Sequence, residues 1–224
     1  MPPGASPIPT LGILMLETRF PRPPGDIGHA GTFAFAVRRV VVRGATPARV
    51  VRSRDPAPLR PFIDAAQALV GDGVCAIATS CGFLARWQRE LQAALPVPVW
   101  TSALLKLAEL PGARCGVITI DAASLGAPEF EAVGADPATP VEGIAPGSPL
   151  HRTLIGDRPE LDEADARAQV LAAGARLLAR RPELDTLVLE CTNLPPYAAA
   201  LRQATGRAVH DIVTLLDERM AALR

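Results

Sequence analysis

The feature that most constrains this chain is a series of short apolar runs, rich in β-branched residues and without alternation, at 12–16, 40–42, 74–78, 97–100, 116–120 and 187–189. A strand with one wet face alternates apolar and polar side chains, whereas an unbroken run suits a strand covered on both faces, as in parallel sheets. Between these runs lie segments of helical period. Residues 61–70 put Phe62, Ala65, Ala66 and Leu69 on one stripe, and residues 163–179 do the same with Ala166, Val170, Ala173 and Leu177. Asp162 or Asp165 is placed to cap the second of these. Strand alternating with helix predicts an α/β fold with parallel sheets, whose ligand site lies at the carboxyl ends of the strands. The prolines fall between the runs, as in Pro21-Arg22-Pro23-Pro24-Gly25, Asp55-Pro56-Ala57-Pro58 and Ala145-Pro146-Gly147-Ser148-Pro149. Proline cannot continue a helix interior or donate to a ladder, so these stretches read as loops.

Composition narrows the function classes. The 23 basic residues balance the 23 acidic ones, and aromatic residues make up 4% of the chain. A nucleic-acid protein needs clustered positive charge, and a single-strand binder needs stacking platforms, so neither reading is favoured. No apolar run approaches the roughly 20 residues that a membrane span requires. Residues 1–10 are proline-rich and lack the charged-then-apolar pattern of a secretory signal, which predicts a cytoplasmic protein with reduced thiols. No nucleotide-binding glycine motif occurs, and the sole lysine, Lys106, has no cofactor motif around it; no cofactor is expected. Neither the cysteines nor His29, His151 and His210 have metal-ligand spacing, so no metal is expected.

One local arrangement occurs twice. A buried-type strand runs into a cysteine and then a turn at Val74-Cys75-Ala76-Ile77-Ala78-Thr79-Ser80-Cys81, and again at Thr186-Leu187-Val188-Leu189-Glu190-Cys191. Cys81 and Cys191 are 110 residues apart, about half the chain. Both continuations read as the first turn of a helix, whose unpaired N–H groups and dipole favour a thiolate. Two matched acid–base groups facing one carbon suit inversion of a stereocentre, one taking a proton from one face while the other delivers a proton to the opposite face. Duplication thus suggests two related lobes. Residues 1–96 and 206–224 form the first lobe in this reading, and residues 97–205 the second. Cys75 and Cys115 read as small core residues. Alternation along the strand aims Glu190 away from Cys191.

The second motif, Leu187-Val188-Leu189-Glu190-Cys191-Thr192-Asn193-Leu194-Pro195-Pro196-Tyr197, resembles the second-cysteine signature of the cofactor-independent aspartate/glutamate racemase superfamily. Thr79-Ser80-Cys81-Gly82 stands where that family carries its first cysteine. The opening Gly12-Ile13-Leu14-Met15-Leu16 with its proline-rich loop resembles the family's first strand and substrate loop, and Val209-His210-Asp211 its last short strand. The chain departs from the common pattern at Gly82-Phe83, where many members have Asn-Thr, and at Glu190, where glycine is usual. The resemblance implies two pseudo-symmetric Rossmann-like lobes with an active site in the cleft between them, Cys81 and Cys191 as opposed bases, a small carboxylate substrate, and a homodimer. Around the bases, Ser80, Thr192, Asn193, Thr119 and Arg19 are the candidate substrate contacts, with Arg22 and His210 weaker ones. The function implied is racemisation or epimerisation of an amino acid or related acid. The alternatives are a lyase or isomerase of the same superfamily, whose decarboxylases hold a carboxylate with a Thr-Ser pair like Thr79-Ser80, or a non-catalytic carboxylate binder.

Overall fold

The computed structural model describes residues 9–53, 59–110 and 112–223. The opening residues 1–8 and the loop prolines Pro56 and Pro58 lie outside the described residues. The first half carries β1 (Thr10–Leu16), β2 (Ala36–Val42), α1 (Leu59–Gly71), β3 (Ala76–Thr79), α2 (Gln88–Ala93) and β4 (Val99–Trp100). After the short helix α3 (Leu105–Ala108), the second half carries β5 (Cys115–Thr119), α4 (Ala127–Ala132), β6 (Val141–Gly143), α5 (Pro149–Ile155), α6 (Glu163–Arg180), β7 (Thr186–Leu189), α7 (Ala198–Thr205), β8 (Ala208–His210) and α8 (Ile212–Ala221).

Two four-stranded sheets result, in the orders β2-β1-β3-β4 and β6-β5-β7-β8, and every strand pair is parallel. The second order repeats the first, strand for strand. Within each sheet the two central strands are buried along nearly their whole length, as unbroken apolar runs require. Edge strand β2 differs: its side chains are half-buried or exposed up to Val42, and Val41 stands 54% exposed. Helices close the faces. α1 buries Phe62, Ala66 and Leu69, and α6 buries Ala166, Val170, Ala173 and Leu177, the stripes their periods define. Asp162 caps α6, its carboxylate accepting the N–H of Asp165 at 3.0 Å. Among the described residues no helix is long and apolar enough to cross a membrane.

Strand pairing redraws the lobes that the sequence suggests. β4 belongs to the first sheet although it lies past residue 96, and β8 pairs with β7 in the second sheet although it lies past residue 205. Each sheet therefore takes its four strands from one continuous half of the chain. The reading that returned residues 206–224 to the first lobe misplaced β8. Its register, Leu187 opposite Val209, is what a short strand after a single crossover helix adopts beside its predecessor.

Candidate active site

The site grows from the carboxyl ends of the central strands. After β3, the Ser80 N–H donates to the Leu14 carbonyl at 2.9 Å, and after β7 the Glu190 N–H donates to the Ile118 carbonyl at 2.9 Å. These equivalent bonds carry each strand one residue further before it turns at the cysteine. The two turns then interlock reciprocally. The Thr192 hydroxyl of the second half donates to the Ser80 carbonyl of the first at 2.6 Å. In the mirrored contact, a Cβ built on Gly82 would stand 2.2 Å from the Glu190 carbonyl oxygen. Each residue after a cysteine thus rests on the carbonyl of the residue before the other cysteine, and this brings the sulfurs together.

Cys81 and Cys191 line one pocket with Ser80, Gly82, Phe83 and Asn193, walled by Leu16, Phe20, Pro47, Val51, Ile120, Leu154 and Ile155. The pocket is narrow, with a cavity volume of about 30 Å³, room for about two water molecules. Larger hollows lie elsewhere; the one of about 330 Å³ beside Arg114, Asp136 and Glu183 contains neither of these cysteines.

Burial decides the state of the thiols. Cys81 is pushed up to about 12, first by desolvation and then by the charge of Glu190, against the opposing pull of the Phe83 and Leu84 N–H groups. Cys191 is held well above the ordinary thiol range by desolvation, with Glu190, Cys81 and Asp26 adding to it and the Asn193 N–H opposing. The sequence predicts a helix terminus that lowers both. Instead, Cys81 leads into a six-residue 3-10 turn, Gly82–Trp87, whose N–H groups act in the expected direction but lose to desolvation. Burial in this narrow pocket thus favours the protonated thiol at both positions.

The other candidate contacts fall into two groups. Ser80 and Asn193 line the pocket. Ser80 Oγ accepts the Leu16 N–H at 2.9 Å, and among the described residues its own proton has no acceptor. Asn193 accepts from the Cys191 thiol at 3.7 Å through Oδ1 and donates through Nδ2 to Asp26 at 2.6 Å. The remainder are engaged elsewhere. The Thr192 proton is given to the Ser80 carbonyl, and Thr119, fully buried, donates to the Glu190 carboxylate at 2.6 Å. Arg19, with a side chain 76% exposed, pairs with Asp157 and does not line the pocket. Arg22 pairs with Asp26 at 2.9 Å and lies over the Phe20 ring. His210 neighbours Lys106, Glu218 and Asp211, away from the pocket.

Two acidic groups carry more of the site than the sequence alone assigns them. Asp26, buried in the proline-rich loop, gathers Arg22, the Gly28 N–H and Asn193, and so ties that loop to the second half. The available signal was its position beside Pro23, Pro24 and Gly25, an acidic residue in a loop already singled out. Glu190 is wholly buried, and desolvation raises its carboxyl to about 8. It makes no hydrogen bond to either sulfur among the described residues; its carboxyl takes the Thr119 hydroxyl and reaches across the interface to Gly82.

Known proteins share this architecture. A family model described as Asp/Glu/Hydantoin racemase matches residues 51–218. Dimethylsulfoniopropionate lyase 7 of Emiliania huxleyi (strain CCMP1516) is 28% identical over 232 residues, covering 96% of this chain and 67% of that protein. Dimethylsulfoniopropionate lyase 5 of the same strain is 27% identical over 93% of this chain, which spans only 44% of its length. Among solved structures, allantoin racemase from Pseudomonas fluorescens superposes with a TM-score of 0.61 at 17% identity, covering 95% of this chain and 90% of that one. Unliganded arylmalonate decarboxylase superposes at 0.58 and 15% identity, covering 90% and 86%. These structures share the two-sheet α/β fold. With three quarters of its length inside the matched model, the chain belongs to the Asp/Glu/hydantoin racemase family.

Proposed function

We propose that this protein is a carbon-acid enzyme in which Cys81 and Cys191 move a proton at the carbon next to a substrate carboxylate. The observation that carries this reading is the enclosure of both thiols in one pocket by two interlocked, topologically equivalent turns. One cysteine, as thiolate, takes the α-proton, and the C–H electron pair delocalises into the carboxylate. The opposite thiol then gives its proton to the other face of the planar intermediate, which inverts the centre and leaves the thiolate on that side. The Ser80 hydroxyl, whose proton is uncommitted, is the donor available to the substrate carboxylate; Thr192 and Thr119 have already spent theirs.

A second reading is favoured by the curated relatives, named as lyases of dimethylsulfoniopropionate. The same α-proton transfer leads there when the substrate carries a sulfonium group on the β-carbon. The C–H pair then becomes the new carbon–carbon double bond, the C–S bond breaks with its pair kept by sulfur, and a neutral sulfide leaves. One thiolate suffices for this, and no proton need reach the leaving group. The largely apolar walls, Phe20 and Phe83 among them, suit a weakly hydrated sulfonium group.

Both readings are tested by incubating the protein in deuterated water with dimethylsulfoniopropionate and with a panel of chiral α-substituted acids. Deuterium at the α-carbon with loss of optical purity identifies racemisation, and release of dimethyl sulfide identifies elimination. Cys81→Ala and Cys191→Ala are each expected to lower an inversion by about 10²–10⁴-fold, whereas elimination depends on one of them far more than on the other. Absence of exchange and of product across the panel, or full activity in both variants, overturns the proposal.

A further inference from the structure

Glu190 lies where its charge bears on the whole reaction, and its surroundings are unusual for a carboxylate. It is fully buried at the end of β7, next to Cys191, and reaches across the interface so that Oε1 lies 2.3 Å from where a Cβ on residue 82 would stand. Gly82 and Glu190, two departures from the family pattern, thus occupy one space: the missing side chain at 82 is replaced by the carboxyl from 190. Oε2 accepts the Thr119 hydroxyl at 2.6 Å, while Oε1 has no hydrogen-bond partner among the described residues. The charged and titratable groups around it come from every element packed there. Its own strand brings Cys191, the turn from the first half brings Cys81 and Arg86, α4 brings Glu129, and Asp26 acts on Cys191 from the loop after β1. Arg86, the cation in this set, is drawn to Glu129 at 2.7 Å.

Two uncompensated negative charges so close together in a dry interior are costly, and such sites hold a shared proton instead. We propose that Glu190 is a positioning residue that sets the charge shared by the two thiols: it remains a neutral acid whenever either sulfur is a thiolate, and it ionises only when both sulfurs keep their protons. This rests on the reading of Cys81 and Cys191 as the proton-transferring pair, but it is a statement about protonation that can be measured without substrate. The raised carboxyl, about 8, and the contribution of Glu190 to the upward displacement of both thiols agree in direction.

The consequence for pH is specific. Below about 8 the neutral acid stands beside the thiols, and the thiolate population rises as protons are removed. Above that point the single negative charge settles mainly on Glu190, and the thiolate population levels off. In Glu190→Gln the neutral group is permanent, so thiolate continues to form.

Infrared difference spectra of the protein against Glu190→Gln are expected to show a carboxylic-acid carbonyl band at pH 7 that disappears near pH 8. In Thr119→Val, which loses the donor favouring the anion, the band persists to higher pH. Alkylation of Cys81 and Cys191 by iodoacetamide, with peptide mass spectrometry as the readout, is expected to reach a plateau near pH 8 in the parent. One pH unit above the plateau it should be about ten-fold faster in Glu190→Gln. A Glu190 band that titrates in the ordinary carboxylate range, or alkylation profiles that coincide, overturns the proposal and leaves Glu190 as a space-filler for Gly82. Loss of catalysis in the cysteine variants is a separate result and bears only on the reaction.

Discussion

At the scale of single residues, the site depends on a position with no side chain. A methyl group at residue 82 would meet the Glu190 carbonyl oxygen at 2.2 Å and the Glu190 carboxyl at 2.3 Å, and the first of these is backbone that cannot swing aside. Gly82→Ala is therefore expected to cost about 1–3 kcal/mol of stability, the range of overpacked interiors. It should also displace Cys81 enough to reduce turnover by about 10²-fold or more, as misplacement of a reacting group does. Urea unfolding and steady-state rates check the two effects; an alanine variant with parental stability would mean that the turns have room to separate. The cysteines themselves were legible in the sequence because strand–Cys–turn appears twice and the second copy carries a family signature. Glu190 was legible as a departure, but where its carboxyl ends was not. Alternation fixes which side of a strand a residue leaves from, whereas the end of this long side chain fills a gap supplied by the other half of the chain. No local rule carries that information.

At the scale of elements, the strands and the two principal helices come from period and run length, since each is decided by contacts within its own segment and the layer above it. The misreadings arise where an element takes its place from a distant partner. β2 looks as apolar in its last three residues as the central strands, but pairing on one side only leaves it at an edge, and Arg38, Arg39 and Val41 reflect this. The segment after Cys81 has helical character in sequence yet forms a 3-10 turn before α2, its Leu84 N–H donating to the Cys81 carbonyl at 3.1 Å and its residues packing on α4. The cap of α6 is the opposite case, read correctly from one carboxylate and its spacing. Asp162→Ala removes the acceptor for the Asp165 N–H and is expected to lower stability by about 1 kcal/mol. Since α6 covers the second sheet away from the cysteines, the rate constants should be unaffected. A change in KM on this substitution would show that α6 reports to the pocket, contrary to its placement.

At the scale of the whole molecule, the two halves are held shut by contacts that converge around the pocket: Thr192 with the Ser80 carbonyl, Asn193 with Asp26, Arg86 with Glu129, and Asp157 with the loop after β1. The pocket is narrow, about 30 Å³, and these contacts set how far it can widen around a substrate. Asp157 is the member best placed to act as a clasp. It lies just past α5, whose Leu154 and Ile155 wall the pocket, and its carboxylate accepts the Arg19 N–H at 2.6 Å and the Phe20 N–H at 3.3 Å, Phe20 being a wall from the other half. Its backbone is left-handed at φ 51°, a conformation that aims the carboxylate at the loop and that alanine would adopt only with strain. Asp157→Gly removes the carboxylate while accepting that backbone. The bonds lost are partly exposed, worth about 1 kcal/mol together, so the open form should become about five-fold more populated. With opening as a fast pre-equilibrium, alkylation of Cys81 and Cys191 at fixed pH scales with the open population and should accelerate by that factor, while amide exchange in the central strands stays as slow as in the parent. If the cysteines react no faster, the entrance lies on another side of the pocket and Asp157 only shapes the surface. If the central strands also exchange faster, the clasp supports the fold as a whole and cannot be assigned to the gate.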